Sequence, residues 1–236
     1  MNLLVGTSGF SYQEWKGPFY PSDIKPSEML EFYGTRLPSV EINNTFYRLP
    51  KPDVLQMWSN QTPDGFKFAL KASRRITHFK RLLNAGDVME YMCNIIKDLH
   101  PKLGAVLFQL PPNFRKNSDR LKKFLPLVPN GIRAAFEFRH ESWFDREIYD
   151  LLESANCALC VADNSTDEIV PVVKTTDWGY LRLRRPDYTD EDLLRWASVI
   201  QETGWNDVFV FFKHKDDGAG PRMAEQFRAI IDSVTN

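Results

Sequence analysis

Eight times along the chain, a short run rich in apolar residues is followed by a loop and then a helix-like run. That alternation limits the fold more than any other feature. The strand-like runs cover residues 3–7, 39–45, 66–72, 104–110, 134–139, 158–163, 178–184 and 207–214. A helix is expected after each, with Asp53 capping the second, Ser118 opening the fourth and Ser142 the fifth. The segment after strand six, residues 167–177, is the least helical. Eight such units predict an α/β fold, a TIM-type (β/α)8 barrel with an irregular sixth helix. At 236 residues the chain suits one barrel domain over 1–236, and no Gly/Ser-rich linker divides it.

The fifth unit, AAFEFRHESWF at 134–144, shows what such strands can carry. With a period of two, Phe136 and Phe138 share one face, and Ala135, Glu137 and Arg139 share the other. Charges opposite an apolar outer face suit a barrel strand whose last residues line the mouth, where barrel chemistry sits. The same alternation turns Glu41, Asn43, Lys71, Gln109, Arg182 and Lys213 inward, while strand six is ambiguous and leaves Asp163 as a candidate. Lys71, Arg139, Arg182 and Lys213 then face Glu41, Glu137 and Asp163, four positive charges against three negative. Buried ions are costly unless well paired, so an excess of positive charge points to an anionic substrate rather than a self-satisfied network.

GTSGF near the start, VEINNTFYRLP, FKFALKASRRITH, LFQLPPNF and EFRHESWF together resemble the YecE-like family, built on domain of unknown function 72. The resemblance runs from Leu4 to Asp163 and thins afterwards. It implies a TIM-type barrel with some likeness to metal-dependent endonuclease and sugar-isomerase barrels, and no established activity. Phe10 stands where the family often has Trp, strand seven continues as RLRRPDY rather than into a His-Gly turn, and strand eight reads FFKHKDDGAG rather than an Asn-rich run.

The expected function is general acid/base chemistry, as a hydrolase or lyase, on a small anionic, phosphorylated molecule. Glu137 is the preferred acid/base, with Glu41 or Asp163 as its counterpart. Lys71 stabilises developing negative charge, and its place on a barrel strand also admits a Schiff-base reading. Arg139, Arg182 and Lys213 hold the anion, Asn43 and Gln109 orient it, and Tyr47 and His140 stand at the rim. A further anion site is expected at the Gly-rich turn of residues 215–221.

Two alternatives stay open. Residues 74–81 interleave Arg74, Arg75, Lys80 and Arg81 with His78 and Phe79, a composition that can grip single-stranded nucleic acid without catalysis. The acidic trio could also serve a metal-dependent phosphodiesterase. The few histidines and the nearby lysines argue against that, so neither metal nor cofactor is expected. A net charge of -1 gives no global pull toward nucleic acid or membrane, and no apolar run is long enough to span one. Three cysteines and the absence of a signal-like start predict a cytoplasmic protein. Cys157 and Cys160 have redox spacing but read better as small buried thiols.

Overall fold

The computed structural model describes residues 1–164, 171–213 and 216–235. Its eight parallel strands close in sequence order: β1 (Asn2–Ser8), β2 (Ser39–Ile42), β3 (Lys67–Lys71), β4 (Leu103–Gln109), β5 (Ala134–Glu137), β6 (Ala158–Asp163), β7 (Trp178–Leu183) and β8 (Asp207–Phe212). β8 pairs with β1 from Asn2↔Asp207 to Thr7↔Phe212, so no sheet edge is left open. Outside lie α1 (Met29–Arg36), α2 (Pro52–Gln61), α3 (Gly86–Ile96), α4 (Ser118–Phe124), α5 (Arg146–Ser154), α6 (Asp190–Thr203) and α7 (Ala219–Thr235). The expected irregular sixth helix falls partly on residues 165–170, outside the described residues. The described residues between β6 and β7 form no helix.

Two apolar layers hold this shape. The inner one combines Ala69, Ala105, Ala135 and Ala158 from β3–β6 with Trp178, Tyr180, Phe209 and Phe211 from β7 and β8. Small side chains on one wall make room for rings from the other, so the lower barrel is a filled plug. Gly104 belongs to that fit, because a Cβ there would stand 2.8 Å from the Phe209 ring. On β6 the interior face is Ala158 and Cys160, while Leu159 and Val161 join the outer layer beneath the helices. This settles the parity that the apolar sequence left ambiguous.

Local chemistry sets the helix ends. Thr189 and Asp192 form a reciprocal capping box at the start of α6, and Gly204, left-handed at φ 63°, ends it. Asp145 accepts from Ile148 N to start α5, four residues after Ser142, the expected start. Ser142 instead lies in a short 3-10 turn, Glu141–Trp143. Asp53 sits in the first turn of α2 behind Pro52 and does not cap it. Pro fits there because that N–H has no helical partner.

Candidate active site at the barrel mouth

Above the plug the interior turns polar. Glu41, at the end of β2, is fully buried. Its Oε1 accepts from Ser8 Oγ at 2.7 Å, Asn43 Nδ2 at 2.8 Å and Arg182 Nη2 at 2.8 Å, and its Oε2 accepts from Tyr180 OH at 2.8 Å. Glu137, the last residue of β5, is equally buried. It accepts from Arg182 Nη1 at 2.6 Å and from Gln109 Nε2 at 2.8 Å. Arg182 therefore lies between the two carboxylates and bonds each through a different terminal nitrogen, while its buried Nε has no hydrogen-bond partner.

The titration behaviour follows from this packing. Burial pushes the Glu41 carboxyl up, but the Arg182 charge and the bonds from Arg182, Ser8 and Tyr180 outweigh it and hold it at about 2. Burial opposes ionisation of Glu137 as well. The charges of Arg182 and Arg184, with the bonds from Arg182 and Gln109, prevail and keep it below the usual carboxylate range. Both are ionised groups with their oxygens engaged. Glu137 in this state is poorly suited to the acid/base role expected of it, since it neither carries a proton near neutrality nor binds one readily.

Lys71 is placed differently. Its Nζ donates to Gln109 Oε1 at 2.7 Å and stands 4.2 Å from the centre of the Phe46 ring. Among the described residues it has no ion pair within 4.0 Å. Burial and the Arg182 charge bring the amine down to about 8, against the pull of Glu137 and Glu41. Gln109 links it to the framework, with its carbonyl toward the ammonium and its amide nitrogen toward Glu137. Arg184 continues the inward parity of Tyr180 and Arg182. Its Nη1 is 3.9 Å from Glu137 Oε1 and its side chain stays partly exposed. Close by, burial and the charges of Lys71, Arg139 and Arg81 hold His78 down at about 4, so it is a neutral ring.

Five expected residues, Glu41, Asn43, Lys71, Gln109 and Glu137, thus meet with Arg182 at one end of the barrel. Others do not. Asp163 points outward, because β6 turns its even-numbered residues inward; its Oδ2 accepts from Trp196 Nε1 of α6 at 3.1 Å and faces Arg185 at 3.7 Å. It is no counterpart to Glu137. Lys213 stands past the end of β8 and is exposed. Arg139, two residues beyond β5, is also exposed, though its charge reaches His78 and Arg184. The Nδ1 of His140 accepts from Ser142 N at 3.2 Å and caps the short turn. Tyr47, 66% exposed, lies on the rim against Phe46.

His214 and Lys215, the latter part of the expected anion turn, lie outside the described residues. The described part of that turn packs Gly218 on Pro18, where a Cβ would come within 3.0 Å. That close approach is to the loop after β1. Cys157 and Cys160 are buried free thiols, as expected. Among the described residues no three His, Cys, Asp or Glu side chains cluster as metal ligands, and a guanidinium occupies the place between the two mouth carboxylates.

Ser8, Tyr180 and Arg184 join this cluster, and all three share the inward parity of their strands. Of these, Tyr180 is the one that sequence reasoning did not place at the mouth. Beside Glu41 a cleft of about 370 Å³ opens, lined by Ser8, Phe10, Tyr12, Asn43, Arg48 and Trp58 among others.

The loops that carry the site are pinned by the aromatic stretches of the sequence. Trp143 stacks on Phe138 at 4.6 Å and donates Nε1–H to Phe114 O at 2.6 Å, tying the loop after β5 to the loop after β4. Tyr33 OH of α1 accepts from Thr7 N and donates to Ser39 O, both at 2.9 Å, which fixes β1 against β2 just below Ser8.

The model of the family described as a protein of unknown function, DUF72, matches residues 4–235. The chain belongs to the DUF72 family. It is 25% identical to the UPF0759 protein YunF of Bacillus subtilis over 98% of this chain and 95% of that one. It is 34% identical to the UPF0759 protein YecE of Escherichia coli strain K12 over 60% of this chain and 50% of that one. The crystal structure of a DUF72 family protein from Thermotoga maritima superposes with a TM-score of 0.87 at 28% identity, covering 98% of this chain and all of that one. One from Enterococcus faecalis gives 0.75 at 18% identity over 87% of this chain and 94% of that one, which speaks to the fold alone. In this DUF72 chain, GTSGF supplies Ser8, VEINNTFYRLP supplies Glu41 and Asn43, and FKFALKASRRITH supplies Lys71. LFQLPPNF supplies Gln109, and EFRHESWF supplies Glu137. Arg182, which joins them, comes from the last third, where that resemblance thins.

Proposed function

We propose that the barrel mouth is the active site of an enzyme acting on a small anionic, phosphorylated substrate by proton transfer, with Lys71 as the group that changes protonation. One observation carries this reading. The two buried carboxylates are taken up by Arg182, whereas Lys71 is left hydrogen-bonded to a neutral amide. Among the described residues, protonated Lys71, Arg182 and Arg184 face the two carboxylates Glu41 and Glu137, leaving spare positive charge for an anion.

In this division Glu41, Glu137 and Arg182 form a fixed framework and are not themselves the acid or base. Arg184 binds the anion, and Arg139 adds charge from the rim. Gln109 orients the amine. A lysine near pH 8 holds both protonation states in useful amounts at neutral pH, which acid/base catalysis requires. The chemistry fits a lyase or hydrolase. The test is a thermal-shift screen of phosphorylated metabolites, followed by turnover assays on the compounds that stabilise the protein. Lys71→Met is expected to keep the fold and lose ~10²–10⁴-fold in turnover. Undiminished turnover in that variant would remove Lys71 from the mechanism.

A second reading, non-catalytic binding of single-stranded nucleic acid, is favoured by one surface feature. The Arg74 guanidinium lies 5.4 Å from the Tyr47 ring and 5.2 Å from the Phe79 ring, and both rings are about two-thirds exposed, at 66% and 68%. Exposed rings flanking a guanidinium suit base stacking with phosphate contact. Arg75 beside them is exposed. Lys80 is engaged by Asp87 at 3.4 Å and Asn84 O at 2.6 Å, and Arg81 by Asn113 Oδ1 at 3.3 Å, so two of the four expected cations are already occupied.

A further inference from the structure

We propose that the Lys71 amine is also a nucleophile, and that the substrate is a small anionic aldehyde or ketone that condenses with it as a Schiff base. This rests on the mouth being an anion-binding active site, and it names the substrate class.

The geometry is that of an activated amine. Lysines usually remain protonated because a carboxylate or water holds the ammonium. Here the two mouth carboxylates nearest the amine are bonded to other donors. Glu41 accepts from Ser8, Asn43, Tyr180 and Arg182, and the two oxygens of Glu137 accept one bond each, from Gln109 and Arg182. The charged groups facing Nζ are Arg182 and Arg184 from the β7 side, Glu137 from β5 and Glu41 from β2. Neutral His78, from the turn after β3, completes the surroundings. One face of the amine is closed by the Phe46 ring, and its fixed bond is to a neutral amide oxygen. A partly desolvated amine beside guanidinium groups is an arrangement that makes lysine nucleophilic near neutral pH. The same guanidinium groups attract an anionic substrate and bring its carbonyl toward that amine.

The step balances without any redox partner. The neutral amine attacks the carbonyl carbon, the C–N bond forms, and the carbonyl π pair moves to oxygen, which takes the proton that the new ammonium nitrogen gives up. Loss of that oxygen as water, with one further proton, leaves the protonated imine on Lys71. The iminium is an electron sink for cleavage or proton loss at the adjacent carbon.

The test uses the full chain with pyridoxal 5′-phosphate as an anionic aldehyde probe, followed by borohydride reduction and peptide mass mapping. At about pH 7.5, Lys71 would hold on the order of a hundredfold more free amine than a surface lysine. The reduced adduct is therefore expected first and most abundantly on Lys71, and excess inorganic phosphate should suppress it. Lys71→Arg, which keeps the charge but cannot form an imine, should lose that adduct while still binding phosphate by calorimetry. Adducts confined to other lysines, with phosphate binding intact, would overturn the Schiff base and leave the anion site standing. A wild-type chain that neither binds phosphate nor forms the adduct would overturn both.

Discussion

Arg182 Nη1 lies 2.6 Å from Glu137 Oε2 although β6 separates their strands. The reach is possible because β6 offers only small side chains there: Ala162 pairs in register with Arg182, and Cys160 lies one inward position below. The other terminal nitrogen crosses to Glu41 on β2, so one guanidinium joins β2, β5 and β7.

That bridge makes Glu137 a structural member first. Glu137→Gln preserves shape but leaves Arg182 short of one buried countercharge. Removing one partner of a buried ion pair typically costs about 3–5 kcal/mol. Denaturant unfolding should show a loss of that size. A variant as stable as the parent would mean that Glu137 is retained for chemistry at a cost to stability.

Acid should release the same framework. The folded carboxyls of Glu41, at about 2, and of Glu137, below its ordinary range, are depressed relative to the unfolded chain. Their contribution is fully present above an unfolded value near 4.5 and is lost as pH falls through the folded values. Thermal midpoints should therefore fall steeply from about pH 4.5 toward 2, and Glu41→Gln should flatten that decline. A parallel decline in the variant would contradict the assignment.

Anion binding should respond to base instead. Lys71 is protonated below about 8, so the mouth loses one positive charge as pH rises through that value. Sulfate, whose charge is fixed in this range, should bind about tenfold more weakly above it. Lys71→Arg should remove the dependence. A flat sulfate profile in the parent would show that Lys71 does not face the anion.

The nucleic-acid reading makes its own demand. With Arg74 and Arg75 the two exposed cations of the four, log affinity for a single strand should fall against log salt with a slope of about −1.5. Tyr47→Ala and Phe79→Ala should each cost ~1–3 kcal/mol if the rings stack bases. No binding at about 50 mM salt would retire this reading.

The barrel was legible because strand and helix periods alternate along the chain, and inward parity placed Glu41, Lys71, Gln109, Glu137 and Arg182 at one end. Asp163 was misplaced because β6 is apolar on both faces, and nothing in ALCVAD distinguishes its two parities. Lys213 and Arg139 lie exposed just beyond strand ends, where the pleat gives way to loop one or two residues early. The roles of the carboxylates could not be read at all. Whether a mouth glutamate is a free base or a saturated strut depends on Arg182, and pairing across a barrel leaves no mark in sequence spacing.

The central claim, that the mouth is an anion site whose ligand Arg184 holds beside Lys71, is tested most directly by calorimetric titration of inorganic phosphate into the wild-type chain and Arg184→Met. Arg146→Met serves as a control, since Arg146 is an exposed α5 residue paired with Asp150. Loss of a charge-assisted contact should weaken binding about tenfold or more in Arg184→Met, with the control matching wild type. Equal phosphate affinity in all three proteins, or none in the wild type, would contradict the account.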